Sequence, residues 1–174
     1  YLEPREDEPL EDFLERAADA HRWPPEERVR DLPMFRDMLR TLDDEREATQ
    51  LAGYILRALS FCADPPMALR HFVRYIDAMG VEGTKELRSL RDNSEHLHFL
   101  ASLFSFSRYL SDIVITRPEF LSWILRKSRL NREKPMERYR EQLTEWLADV
   151  QEREQRREQM TLYKKRELLR IGIR

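Results

Sequence analysis

Four glycines in 174 residues leave little material for strand turns or for the glycine-rich loops that cradle phosphates. One cysteine, Cys62, excludes an internal disulfide and fits a reducing compartment. No apolar run approaches the roughly 18 residues that a membrane-spanning helix needs. No basic stretch followed by an apolar one marks a signal peptide. These absences point to a cytoplasmic chain without a membrane segment. What is present is charge: 37% of residues are Asp, Glu, Lys or Arg, against 41% hydrophobic. That balance suits long solvated helix faces around a real core. The net charge of −2 conceals a gradient. Residues 1–47 carry net −8, residues 48–125 net 0 and residues 126–174 net +6. The two ends can attract each other or face different partners.

The hydrophobic spacing is helical almost throughout. Leu10, Phe13, Leu14 and Ala17 form a short stripe that Trp23-Pro24-Pro25 interrupts. Asp31 is placed to cap the next helix, with Pro33 in its first turn and Met34, Phe35, Met38 and Leu39 on one face. Residues 46–62 read as a helix through Leu51, Ile55, Leu56 and Leu59. Asp64-Pro65 is a strong start for another, carrying Leu69, Phe72, Val73 and Ile76 and closed by Gly80 in a left-handed cap. Gly83-Thr84 opens a helix through Leu87 and Leu90. Ser94 is placed to cap one through Leu97, Leu100, Leu103 and Phe104. Asp112 to Thr116 looks β-like, but it lacks a partner run and reads as the end of a buried helix. Thr116 and Glu119 have capping-box spacing around Pro118. After a polar break at 131–135, a single long helix is expected from Met136. Its seam is Tyr139, Leu143, Trp146, Leu147 and Val150, and a polar run at 151–159 projects or bends.

The fold expected is therefore all-α, a compact helical bundle with a long C-terminal helix. Three regions follow: an acidic helical lead-in at 1–45, the bundle at 46–130 and a long basic helix at 131–174.

Catalytic chemistry is hard to assemble from these residues. His96 and His98 stand two apart, so a helix points them to different faces and they do not share a metal readily. His21 and His71 have no visible base or nucleophile beside them. Cys62 lies in the apolar run Leu59-Ser60-Phe61-Cys62-Ala63 and reads as a small buried residue. Asp43, Asp44 and Glu45 read as a helix-start cluster favoured by the macrodipole. In the tail, Arg153, Arg156, Arg157, Lys164, Lys165, Arg166, Arg170 and Arg174 could meet phosphates. The interleaved Glu152, Glu154, Glu158 and Glu167 favour a solvated helix face instead. No catalytic, cofactor-binding or metal-binding residue is assigned.

Three stretches carry a resemblance: Asp64 to Ile76, Phe104 to Leu125, and Tyr163 to Arg174. Together they resemble the helical segment preceding a nucleotidyltransferase domain in the glutamine synthetase adenylyltransferase family, over roughly residues 46–174. The signature of that catalytic domain is a Gly-Ser turn and then Asp-x-Asp on a strand, and neither pattern occurs in this chain. The resemblance implies a non-catalytic fragment that scaffolds and positions the catalytic domain in cis. For the parent enzyme it implies AMP transfer from ATP to a tyrosine of glutamine synthetase, and removal of that AMP by phosphorolysis, both with Mg²⁺. It further implies regulation of nitrogen assimilation through glutamine and the PII signal protein. The acidic lead-in suggests the first, deadenylylating half of that enzyme. An alternative from the residues alone is a free-standing adaptor that binds a partner helix through Trp146, Leu147 and Val150. A third is a nucleic-acid binder using the basic tail.

Overall fold

The order of helix starts decides the architecture. The computed structural model describes residues 3–125 and 134–173. Among them are ten α-helices and one 3₁₀ turn, and no strand. They form two compact units, residues 1–116 and 117–174, the boundary lying between Thr116 and Arg117.

The first unit holds seven helices. Helix α1 (Leu10–Ala20) buries Leu10, Phe13, Leu14 and Ala17 as its stripe demands. Helix α2 (Pro25–Leu39) begins earlier than Asp31 suggests. Pro25 is acceptable at a first helical position, where its missing N–H costs nothing. Asp31 consequently lies inside the helix at 1% exposure rather than at its cap. Its carboxylate accepts from Arg30 at 2.7 Å and from Arg70 of the fourth helix at 2.8 Å. The shift also turns Met34 outward, at 40% exposure, and buries Leu32 with Phe35, Met38 and Leu39.

Helix α3 (Glu45–Leu59) is capped by Asp44, whose carboxylate accepts from the Arg46 and Glu47 amides at 2.8 and 3.3 Å. The acidic triplet is thus a helix start, as its spacing indicates. Helix α4 (Pro65–Ala78) is capped by Asp64, which accepts from the Met67 amide at 2.9 Å. It ends at Gly80, whose φ of 56° is the left-handed conformation expected there.

A 3₁₀ turn, Gly80–Glu82, leads into α5 (Gly83–Asp92). A Cβ at Gly83 would stand 2.7 Å from the Ile76 carbonyl oxygen, so only glycine lets α5 approach α4 this closely. Helix α6 (Ser94–Phe106) is capped by Asn93 rather than Ser94, through the His96 amide at 3.1 Å. Helix α7 (Arg108–Thr116) absorbs the β-looking run, burying Ile113, Val114 and Ile115.

The centre of this unit is α4, which packs on α2, α3, α5, α6 and α7, while α1 packs on α2 and α3. The acidic lead-in is therefore part of the packed unit. Phe13, Phe35, Phe72, Tyr75 and Phe104 are among its largest fully buried side chains.

The second unit holds α8 (Glu119–Ile124), α9 (Met136–Trp146) and α10 (Arg153–Gly172). The capping box around Pro118 does not form. The Thr116 hydroxyl donates instead to the Asp112 carbonyl at 2.6 Å, one turn back, and so ends α7. The single long helix expected from Met136 is two. The chain leaves helical geometry between Trp146 and Arg153, and the long C-terminal helix is α10. The polar run at 151–159 supplies the bend and the first turns of α10. Asn131, most of the polar break after it, and Arg174 lie outside the described residues.

Candidate functional site

Along α10, Tyr163, Arg166, Glu167 and Arg170 recur at intervals of three, one and three, which places them on one helix face. That face meets α9 in antiparallel fashion: Trp146 lies beside Gln159 and Tyr163, and Tyr139 beside Arg170. Glu167 is the hub, at 5% exposure. One of its oxygens accepts from Lys134 Nζ at 2.8 Å, the other from Arg170 Nε at 2.8 Å. Burial pushes the Glu167 carboxyl up, but the hydrogen bonds from Lys134 and Arg170 outweigh it and hold it below the ordinary value.

Lys134 also donates to the Tyr163 hydroxyl at 3.1 Å and stands 4.3 Å from the centre of the Tyr139 ring. Arg170 donates to the Tyr139 hydroxyl at 2.6 Å, and Tyr163 donates to the Tyr139 carbonyl at 3.3 Å. Arg166 lies 4.3 Å from the Trp146 ring centre, 4.5 Å from Trp123 and 5.1 Å from Tyr163. One guanidinium thereby joins α8, α9 and α10. Each cation–π contact of this kind is worth about 0.5–2 kcal/mol, more as it is desolvated. Trp146 completes the cluster with an edge-on contact to Tyr163 and a 3.0 Å bond from its indole N–H to Gln159.

Both Glu167 oxygens are engaged by cations, and the Lys134 amine and the Tyr139 and Tyr163 hydroxyls beside it are themselves held in hydrogen bonds. This arrangement fixes α10 against α9 and α8 with directional bonds.

The basic tail consequently divides. Arg153, Arg156, Arg157 and Lys164 are exposed, Lys165 is half-buried, and Arg166 and Arg170 turn into the cluster. Of the apolar tail residues, Leu169 is buried and Leu168 half-buried, while Ile171 stays 51% exposed. Of the anchors of the adaptor reading, Trp146 lies in the cluster, Leu147 is 8% exposed and Val150 is half-buried. Sequence reasoning missed that this charged helix has an ionic interior face. The signal was available in the spacing of Tyr163, Arg166, Glu167 and Arg170 beside a seam containing Tyr139 and Trp146.

The remaining candidates lie in the first unit and are not brought together. His71 is buried, its Nδ1 2.9 Å from the Phe104 carbonyl. His98 is exposed, edge-on to Phe61 at 6.3 Å. His21 is exposed. Cys62 is half-buried, its thiol directed at the Ala58 carbonyl, and burial pushes its pKa up, away from thiolate reactivity. Among the described residues no three His, Cys, Asp or Glu side chains gather to hold a metal ion.

His96 Nε2 is buried without a hydrogen-bond partner, 4.0 Å from Glu86. Burial lowers its pKa below 6.5, against the opposing pull of Glu86. The folded state therefore binds its proton more weakly than the unfolded chain does. The stability it contributes is complete above the unfolded value and falls as pH drops below about 6.5. The urea midpoint is expected to decrease between pH 7.5 and 5, and His96→Gln to flatten that decrease. An unchanged slope in the variant would contradict this.

Comparison with known proteins supplies one match. Residues 97–174 match the family model described as glutamate-ammonia ligase adenylyltransferase. No curated protein and no solved structure matches. The matched region contains two of the three stretches that carried the resemblance, Phe104 to Leu125 and Tyr163 to Arg174, and it takes in α6 to α10 apart from the first three residues of α6. The match agrees with the resemblance read from the sequence over that region, which is helical. No described helix is long and apolar enough to cross a membrane.

Proposed function

We propose that this chain, a helical segment of the glutamate-ammonia ligase adenylyltransferase family from residue 97 onward, positions a nucleotidyltransferase domain and does not itself carry the chemistry. The observation that supports it most is the locked α9–α10 hairpin. A helix that must hand its direction to a following domain needs a rigid mounting, and the Glu167 cluster provides one at its C-terminal half. Rigid elements hold functional groups more precisely than loops do. Ile171, exposed at the end of α10, and the exposed cations Arg157 and Lys164 are then the side chains left to meet that domain.

In this reading the parent enzyme transfers AMP from ATP to a tyrosine of glutamine synthetase and removes it again. Its regulators are glutamine and the PII signal protein. ATP and Mg²⁺ would be held outside this chain. The positioning role itself needs no Mg²⁺. The acidic helices α1 and α2 favour the deadenylylating half, and a cytoplasmic setting goes with the substrate.

The test is AMP incorporation into glutamine synthetase, measured with labelled ATP. The 174-residue chain alone is expected to transfer nothing. The gene product that contains it is expected to transfer or remove AMP, and Glu167→Ala within that product to lower kcat by tenfold or more. A chain that transfers AMP by itself, or a gene product inert on glutamine synthetase, overturns the proposal.

A further inference from the structure

Residues 3–9, Glu-Pro-Arg-Glu-Asp-Glu-Pro, lie against α3 as a strap that turns at Arg5–Glu8, where the Glu8 amide donates to the Arg5 carbonyl at 3.2 Å, and that two contacts hold in place. The first is Arg16 of α1. Its guanidinium donates to Glu8 at 2.7 and 2.5 Å and to the Glu3 carbonyl at 3.1 Å. The second is Gly53. A Cβ there would stand 2.9 Å from Pro4 Cδ and 3.1 Å from Pro4 Cγ. Gly53 sits in the interior of α3, where glycine weakens a helix relative to alanine. Its presence is accounted for by the proline ring that crosses it.

Between these points the strap stands off the helix. A groove of about 650 Å³ remains beneath it, lined on the α3 side by Arg46, Gln50, Tyr54 and Arg57, with Tyr54 half exposed. The strap carries net −3; Arg16 pairs with its Glu8, and Arg46 and Arg57 line the groove together with Glu45. The hydrogen bonds from Arg16, outweighing burial, hold the Glu8 carboxyl down at about 2, so the latch does not open with ordinary changes of pH.

We propose that the α1–α3 face is a docking groove for an acidic, proline-bearing peptide segment of a partner protein that can take the same turn, and that residues 3–9 occupy it in cis as a displaceable strap. Proline suits the Gly53 point because its φ is preset and it has no N–H to leave unpaired. A strap that touches at two points and leaves the groove between them unfilled yields to a segment that fills it. Until then its tethering supplies an effective concentration on the order of millimolar, which suppresses binding in trans.

The experiment uses the full chain and a labelled, end-blocked peptide of sequence Glu-Pro-Arg-Glu-Asp-Glu-Pro. Glu8→Ala removes the latch from the strap and leaves Arg16 and Gly53 intact. Amide exchange at Arg5 and Glu8, whose N–H groups are bonded within the strap, is expected to accelerate in this variant. Fluorescence anisotropy is expected to show the peptide binding Glu8→Ala at least about tenfold more tightly than the wild type. Adding Gly53→Ala is expected to abolish that binding with helical circular dichroism unchanged, since alanine favours the helix. The proposal is overturned if the peptide binds both proteins equally or neither, or if its binding survives Gly53→Ala.

Discussion

Glu167→Ala is expected to destabilise the second unit by about 3–5 kcal/mol, the cost of leaving buried cations without their carboxylate. Lys134 and Arg170 both aim at Glu167 from side chains that are 10% and 5% exposed, so water does not readily replace it. The loss is read as a fall in the urea midpoint followed by tryptophan emission, because Trp123 and Trp146 both flank Arg166. Two further variants separate charge from packing. Glu167→Gln keeps the volume and one acceptor and is expected to lose less. Replacing Lys134, Glu167 and Arg170 together by Met, Leu and Met is expected to cost less than Glu167→Ala alone, since no charge is then stranded. A cost below about 1 kcal/mol for Glu167→Ala would mean the cluster is effectively solvated and holds nothing.

Phe104→Ala is expected to cost the first unit about 3–5 kcal/mol, as large aromatic truncations in close-packed cores do. Phe104 is fully buried. Its ring meets His71, Phe72 and Tyr75 at centroid distances of 6.2, 6.4 and 5.7 Å, mostly edge-on. Those residues all belong to α4, so the substitution empties the contact between α6 and the central helix. Phe106→Ala, two residues on, is the control. Phe106 is 82% exposed, and its loss is expected to change stability by no more than about 0.5 kcal/mol. Urea unfolding followed by circular dichroism distinguishes the two, and equal effects would refute the assignment of Phe104 to the core.

Much of the fold was legible in local chemistry. Asp44 and Asp64 cap their helices because a carboxylate just ahead of a first turn satisfies amides that nothing else can reach. Gly80 turns left-handed because only glycine does so without strain. The apolar stripes of α1, α3 and α4 are buried as their spacing demands. Asp31, Ser94 and Thr116 each have a polar group suited to a cap, but Asn93 caps in place of Ser94 and the other two had a competing use. For Asp31 that was an arginine 39 positions away, and for Thr116 a carbonyl one turn back.

The sequence by itself determined the helical character of the described residues, the places where most of their helices begin, and a similarity over residues 97–174 to one family model. Those are properties of short segments, set by capping, turn and periodicity rules that act within a few residues. Tertiary structure decided what the charges do. Arg166, Glu167 and Arg170 look like a solvated basic face until Lys134, Tyr139 and Trp146 are brought against them by the bend between α9 and α10. Gly53 looks like a flaw in α3 until Pro4 crosses it. A charge or a glycine takes its meaning from its neighbours in space, and these neighbours lie between 20 and 49 residues away along the chain.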